Sequence, residues 1–322
     1  MTRQIGLIVN PGGHAVATRG SMLEAAALEL PDACFLRLDD FADLAPCVRH
    51  MAAQGVSMIF VEGGDGTLLA VLSACLDPAA GFTTLPDFAI LPGGSTNLAA
   101  EIFGFRGRTP KEITRRIAAL ANEVDPPERE EQRALRVQGA ALPHPAIGFV
   151  LSTGSLARAM LYTQREFHGE GRRGARAVAG AVMRFLLAPG GYRDADGAPV
   201  QRGSNMEAVL DGEQRIEGLH TFTLMTTLPR LSLGLRPFWG TGAGAIAMTH
   251  AAWPLRGLRR SMVKVVLGLV GPKLAQQGLQ SFRADVIELH HDSPTVIDGE
   301  MLPSAPDQRL HVSVTAPLGF LR

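Results

Sequence analysis

Cysteine is scarce. The 322 residues hold three, Cys34, Cys47 and Cys75. An odd count without a Cys-x-x-Cys pair excludes a disulfide framework and the usual thiolate zinc and dithiol motifs, so all three read as small, reduced core residues. Net charge is also missing: Lys plus Arg and Asp plus Glu stand at 31 each. That balance gives no footing for nucleic acid as the main partner and leaves any anion or membrane contact to local patches. No segment offers the roughly 20 uninterrupted apolar residues of a membrane span. The opening residues, Met-Thr-Arg-Gln-Ile-Gly-Leu-Ile-Val-Asn-Pro-Gly-Gly, lack the apolar run of a signal peptide. These absences predict a soluble, cytoplasmic protein, with peripheral contact at the inner membrane face left open. Apolar residues are plentiful at 46% and charged ones make up 19%, which excludes a disordered chain and suits two modest domains.

The first 120 residues alternate between short apolar runs and helical patterns. Strands are expected at 5–10, 34–38, 57–61 and 88–91, and helices at 21–30, 41–54 (interrupted by Pro46), 67–76 and 111–122, with another after residue 97. This order predicts a mostly parallel sheet with helices on both faces and ligands at the carboxyl ends of its strands. The polar, proline-containing stretch 125–131 reads as a domain boundary. Beyond it, strands are expected at 135–138, 146–152, 207–210, 221–228, 286–289, 295–297 and 310–314, with helices at 157–167, 175–187 and 255–270. The second half thus reads as largely β with helical insertions.

Two glycine-rich loops follow strands and precede helices. Gly63-Gly64-Asp65-Gly66-Thr67 brings backbone N–H groups and a helix N-terminus to one spot, an arrangement that binds anions. The glycines permit close backbone approach. Asp65 cannot attract phosphate itself, so an acidic residue here points to magnesium or a hydroxyl beside the phosphates; the plain alternative is a tight turn with Asp65 as a helix cap. Leu91-Pro92-Gly93-Gly94-Ser95-Thr96-Asn97 is the second loop. Alone it reads as an N-cap; paired with the first it suggests a shared nucleotide cleft. Asn10-Pro11-Gly12-Gly13 is a third, weaker signal. Asp298-Gly299-Glu300 is an ordinary hairpin turn by itself, and the same triplet recurs at Asp211-Gly212-Glu213.

Taken in order, Asn10-Pro11-x-x, the Gly-Gly-Asp-Gly-Thr loop, the Leu91–Asn97 loop and the late Ile297-Asp298-Gly299-Glu300 resemble the diacylglycerol kinase catalytic family, which includes sphingosine and ceramide kinases. The resemblance implies a phosphofructokinase-like α/β domain at 1–128, to which about 308–322 returns. It also implies a β-sandwich lipid domain at 129–307, with the nucleotide between the two. The function implied is an ATP-dependent lipid kinase acting on the hydroxyl of diacylglycerol or a ceramide-like lipid, with ATP and Mg2+ as cofactors and a membrane lipid as partner. Asn10, Gly63, Gly64, Asp65, Gly66, Thr67, Gly94, Ser95 and Asn97 would line the nucleotide, and Asp65 would hold its magnesium. Glu300 would be the general base and Asp298 would position it, leaving Glu213 a hairpin residue.

Departures from the family pattern are visible. Leu69 and Ala70 stand where the family often has Asn and Glu, and Asn97-Leu98-Ala99 stands for Asn-Asp-Phe. The stretch 236–249 holds no carboxylate, so the family's structural magnesium site is expected to be missing. An NAD kinase is the first alternative, since it shares Gly-Gly-Asp-Gly-Thr, and Ser152-Thr153-Gly154-Ser155 resembles its Thr-Gly-Ser stretch. A non-catalytic nucleotide- or lipid-binding module is the second. Residues 253–270 read as a basic amphipathic helix suited to either an anionic bilayer or a surface, and Phe238 and Trp239 as either interfacial or buried. Arg172, Arg173 and Arg176 read as a solvated cluster. His290 and His291 are adjacent on a strand and point apart, which argues against zinc.

Overall fold

In the computed structural model, residues 3–95, 97–122, 128–167, 191–194, 196–254, 261, 264–265, 270, 272–303 and 309–322 are described. The chain divides into two compact units, Met1–Gln132 with Ala316–Arg322, and Arg133–Thr315.

The first unit is built on β1 (Ile5–Val9), β2 (Cys34–Arg37), β3 (Met58–Gly63), β4 (Asp87–Pro92) and β5 (Arg129–Gln132), joined by the strand Leu318–Leu321. Its order is β2-β1-β3-β4, then Leu318–Leu321, then β5. The first four strands pair in parallel. β1 and β3 are buried at every position, as central strands covered on both faces must be. Ile5, Leu7 and Val9 share one apolar core with Leu23 and Ala26 of α2 (Met22–Glu29) and with Ile113 and Ile117 of α6 (Pro110–Ala121). The chain runs from β1 to β2 on one side and to β3 on the other, so the order reverses at the β1–β3 boundary. In open α/β sheets that reversal opens a crevice at the strand ends.

Local chemistry explains the helix ends. Ser21 caps α2 by accepting from the Glu24 N–H, and Thr109 caps α6 by accepting from the Glu112 N–H, at 3.0 and 3.2 Å. Pro46 does not break its helix: after a short 3-10 turn at Phe41–Asp43, α3 runs Leu44–Ala53 with Pro46 in its first turn, where no N–H is required. The helix α1 (His14–Arg19) carries no signal that the sequence made legible.

The domain limits differ from those expected at 128 and 308. Arg129–Gln132 is not linker but an edge strand, pairing antiparallel with Leu318–Leu321, and the latter pairs in parallel with β4. The first unit therefore runs to Gln132 and is rejoined only at Ala316.

The second unit carries an antiparallel sheet, eleven-stranded among the described residues, in keeping with the β domain expected there. Its strands are β6 (Leu135–Gly139), β7 (Ala146–Gly148), β8 (Val150–Thr153), β9 (Ser204–Leu210), β10 (Gln214–Thr226), β11 (Ile246–Ala252), β12 (Leu279–Ala284), β13 (Ile287–His291), β14 (Thr295–Ile297), β15 (Glu300–Met301) and β16 (Arg309–Val314). Because β16 pairs with β13 and β6, residues 309–314 belong here and not with the first unit. The sheet branches at β10, whose first half pairs with β9 and whose second half lies between β8 and β11. That second half is buried on both faces, and the helix α7 (Gly154–Phe167) follows directly from β8.

Among the described residues, no helix is long and apolar enough to cross a membrane. Trp239 is partly buried and packs against the cluster of Phe222, Ala251, Val265, Leu274 and Leu279. Most of the expected amphipathic helix at 255–270, the helix at 175–187 and the arginine cluster at 172–176 lie outside the described residues.

Candidate active site

Three loops meet at the β1–β3 switch point. β3 ends at Gly63, and α4 (Asp65–Leu76) begins with Gly64 as its N-cap and no side-chain cap. An uncapped twelve-residue helix leaves first-turn N–H groups, those of Gly66 and Thr67 among them, without intrahelical acceptors. Together with the helix dipole they favour an anion.

The glycines are there because the loops touch backbone to backbone. Gly93 N–H donates to the Gly63 carbonyl at 2.8 Å, and the Gly93 carbonyl accepts from Ala15 N–H at 2.9 Å. A Cβ on Gly94 would stand 2.4 Å from the Gly64 Cα, one on Gly93 2.7 Å from the Gly63 Cα, and one on Gly13 2.6 Å from the Gly93 oxygen. Side chains complete the stitching. Asn10 accepts from Gly12 N–H through Oδ1 (2.9 Å) and donates through Nδ2 to Thr67 Oγ1 (2.8 Å). Asn97 sits in the left-handed region at φ 52°, where its Oδ1 accepts from Gly94 N–H and its Nδ2 donates to the Gly94 carbonyl. Ser95 stands exposed between them.

Asp65 does not point a free carboxylate at this cradle. Its oxygens accept from Leu98 N–H (3.0 Å) and Ala99 N–H (3.1 Å), so it caps α5 (Leu98–Phe103) and locks the second loop to the first. Burial pushes its carboxyl group up, opposed by the amides of Leu98, Ala99 and Asn97. Glu62, one residue before the glycines, was not singled out from sequence. It is fully buried and accepts from Ser21 Oγ (2.6 Å), Met22 N–H (2.9 Å), Leu23 N–H (3.0 Å) and Arg19 Nη2 (3.3 Å). Arg19 Nη2 also donates to the Pro92 carbonyl at 2.6 Å, which ties α1 to the second loop. The legible signal was a lone carboxylate in a strand otherwise buried at every position. Both carboxylates beside the loops are thus committed to protein donors, and among the described residues no group of three or more His, Cys, Asp or Glu side chains could hold a metal. Asp65, the expected magnesium ligand, spends its oxygens on the Leu98 and Ala99 amides and acts here as a helix cap.

Asp298 and Glu300 lie in the second unit. Asp298 and Gly299 have φ of 46° and 92° between the paired residues Ile297 and Glu300, which makes a two-residue hairpin turn. The Asp298 carboxylate accepts from Phe149 and Val150 N–H, each at 2.8 Å, and Gln164 Nε2 donates to the Gly299 carbonyl at 2.6 Å. Glu300 is exposed at the start of β15. The twin triplet behaves alike: Asp211 has φ 50°, and its Oδ1 accepts from Asp285 and Val286 N–H. Both aspartates are therefore turn-forming clamps on two consecutive amides. The triplets share all three residue types and differ in placement: Glu300 is the first strand residue after its turn, whereas Glu213 lies within a three-residue turn between the paired Leu210 and Gln214.

Around β10 the second unit also gathers three histidines, His220 and His250 buried and His291 half-buried. His220 donates through Nδ1 to the Ser204 carbonyl (2.8 Å) and accepts through Nε2 from Thr153 Oγ1 (3.1 Å), which fixes a neutral tautomer. His291 accepts from the Ser293 hydroxyl at Nδ1 (2.9 Å) and donates from Nε2 to Thr295 Oγ1 (3.0 Å). Its ring and that of His250 lie 6.3 and 6.2 Å from His220. Desolvation, then the neighbouring His220, draws His250 and His291 down to about 4. A lowered histidine favours protonation of the unfolded chain first, so this stability is complete above about pH 6.5 and is lost as pH falls toward 4. Each group contributes up to about 3 kcal/mol across that window. Denaturant titrations between pH 7.5 and 4.5 are expected to show the decline, and the double change His250→Gln with His291→Gln to flatten it. An unflattened profile would place the acid sensitivity elsewhere.

Residues 5–126 match the family model of the diacylglycerol kinase catalytic domain. The chain is similar over its length to a solved structure assigned as a diacylglycerol kinase from Bacillus anthracis, at 14% identity and a TM-score of 0.65, covering 99% of this chain and 97% of that one. A second Bacillus anthracis diacylglycerol kinase structure is similar at 15% identity and a TM-score of 0.58, with the same coverage. At such identity the likeness shows a shared two-domain fold: an α/β unit with a parallel sheet, then an antiparallel-sheet unit. A yeast NADH kinase structure is similar at 10% identity and a TM-score of 0.48, covering 100% of this chain and 84% of that one, which is too distant to carry an argument. A comparison with curated proteins gives no match.

Proposed function

We propose that the protein is an ATP-dependent lipid kinase that transfers the γ-phosphate to the hydroxyl of a membrane lipid, either diacylglycerol or a ceramide-like lipid. The observation that carries this reading is the uncapped α4 N-terminus inside a glycine cradle, within the segment that matches the diacylglycerol kinase catalytic domain. The free first-turn amides and the dipole suit the phosphates of ATP, and Asn10, Thr67, Gly94, Ser95 and Asn97 shape the loops around them. A lipid hydroxyl is a poor nucleophile and must lose its proton as its oxygen attacks the γ-phosphorus and the bridging oxygen leaves with ADP. Glu300 is the proton acceptor in this reading. Its hairpin is rigid because Asp298 and Gln164 hold the turn, so Asp298 is a positioning residue.

The test is transfer of labelled phosphate from ATP to diacylglycerol, ceramide, sphingosine and monoacylglycerol in mixed micelles, with soluble NAD alongside. Label on a lipid and none on NAD is the expected result. Label on NAD alone overturns the lipid reading in favour of an NAD kinase, and no transfer with intact ATP binding favours a binding module. Glu300→Gln is expected to lower kcat by at least about 100-fold, as loss of a general base does, while ATP affinity stays unchanged. An unchanged rate removes Glu300 from the mechanism.

A further inference from the structure

The second unit buries a cation that no counter-ion touches among the described residues. Arg158, in the first turns of α7, is 6% exposed. Its Nη2 donates to Ser204 Oγ at 2.6 Å, but Nε and Nη1 are buried without a hydrogen-bond partner. Two carboxylates act on it through space, Asp292 and Asp194, and both are engaged elsewhere. Asp292 accepts from Asn205 Nδ2 (2.8 Å); Asp194 accepts from Arg202 Nη1 (2.5 Å) and from the N–H groups of Asp196 and Ala198. Arg202 adds a second positive charge to the neighbourhood. The adjoining His220 is neutral and spends its Nδ1–H on the Ser204 carbonyl. Burial, then the Arg202 charge, lowers the Arg158 guanidinium to about 10, so it is still a cation at neutral pH.

A guanidinium shut away from water with unused N–H groups is an expensive feature unless something completes it. The N-terminal end of α7 supplies further positive potential. We infer that Arg158 is the receptor of an oxyanion, which it binds through Nε and Nη1 beside Ser204 and His220. The phosphate of a lipid headgroup and free phosphate share this chemistry. The site stands independently of the kinase reading.

Two arms without ATP test the site in the full-length protein. In the first, melting is followed with increasing inorganic phosphate against sodium chloride of equal ionic strength, for the native chain, Arg158→Met and Arg158→Lys. The glycine loops bind phosphate equally in all three, so the difference between proteins reports Arg158. Without phosphate, Arg158→Met is expected to melt at or above the native temperature, because an unpaired buried charge is removed. Phosphate is expected to raise the native melting temperature several degrees more than that of the variant, with Arg158→Lys between. In the second arm, binding is measured to vesicles of phosphatidylcholine containing phosphatidylglycerol or, instead, neutral diacylglycerol. The native chain is expected to prefer the anionic vesicles at least tenfold more than Arg158→Met does. Arg158 is buried, so its loss leaves the surface charge that attracts vesicles nonspecifically in place.

Discrimination by free phosphate alone assigns a soluble ligand, and by vesicles alone a lipid headgroup. Equal behaviour of native and Met proteins in both arms overturns the site. Should the Met variant fail to fold, Arg158→Lys, which keeps the charge but loses the planar donors, carries the same comparison.

Discussion

Gly94→Ala is expected to abolish phosphate transfer, by at least about 100-fold, and to lose ATP binding with it. The new Cβ would stand 2.4 Å from the Gly64 Cα and 3.1 Å from the Gly64 nitrogen, against backbone that cannot rotate away as a side chain could. The two loops would have to part by most of an ångström. Gly94 N–H is also held by Asn97 Oδ1, so the displacement passes to the whole second loop. A misplacement of about 1 Å in a positioning element costs on the order of 100-fold in rate. Overpacking of this kind costs a further 1–3 kcal/mol, roughly, in stability. Gly191→Ala is the control, because nothing lies within 4 Å of a Cβ there. Titration with a fluorescent ATP analogue and a denaturant melt decide the matter. Native-like binding by Gly94→Ala would mean that the loops do not form the nucleotide site.

The second large effect is on stability. Glu62→Ala is expected to cost about 3–5 kcal/mol, the usual range when one partner of a buried charged network is removed. The change strands Met22 and Leu23 N–H, the Ser21 hydroxyl and Arg19 next to a cavity, at the N-terminus of α2. Glu62→Gln keeps the volume and one acceptor but turns an amide toward donors, so about half that loss is expected. Urea unfolding with an unchanged m-value would show that the loss is one of stability in a cooperative unit. A loss within about 1 kcal/mol would mean that α2 is held by its apolar face alone.

Much of the first unit was legible because its signals are local. β1 is an apolar run just ahead of Asn10-Pro11-Gly12-Gly13, and β3 runs straight into the Gly63–Thr67 loop. The glycine loops could be read as an anion cradle because glycine there serves close approach. The hydrogen-bond partners could not be read. Asp65 invites a magnesium ion in sequence, yet it spends its carboxylate on amides 33 and 34 residues away. Nothing local in Glu62 announces a bond to Ser21, 41 residues earlier. The edge strand Arg129–Gln132 looked like linker because its charges face solvent at a sheet margin and its partner is Leu318–Leu321. In the second unit, Arg158, His220, His250 and His291 come from four separate elements. Sequence order shows only scattered polar residues there, and only His290 and His291 drew notice, for the wrong companion.

Leu318–Leu321 lies between β4 and β5 in the sheet that holds the loops. The second unit is therefore an insertion, and the ribosome must deliver all of Arg133–Thr315 before the first unit's sheet can be finished. Until then β4 presents an open hydrogen-bonding edge on an apolar strand, a template for pairing with other chains. Phe320 fills that gap against Phe88 and Phe103, so closing the edge also seals the core. The maturation of one unit is thus timed by the synthesis of the other. An excised 1–132 fragment, which holds every glycine loop, would still be a sheet with a missing slat.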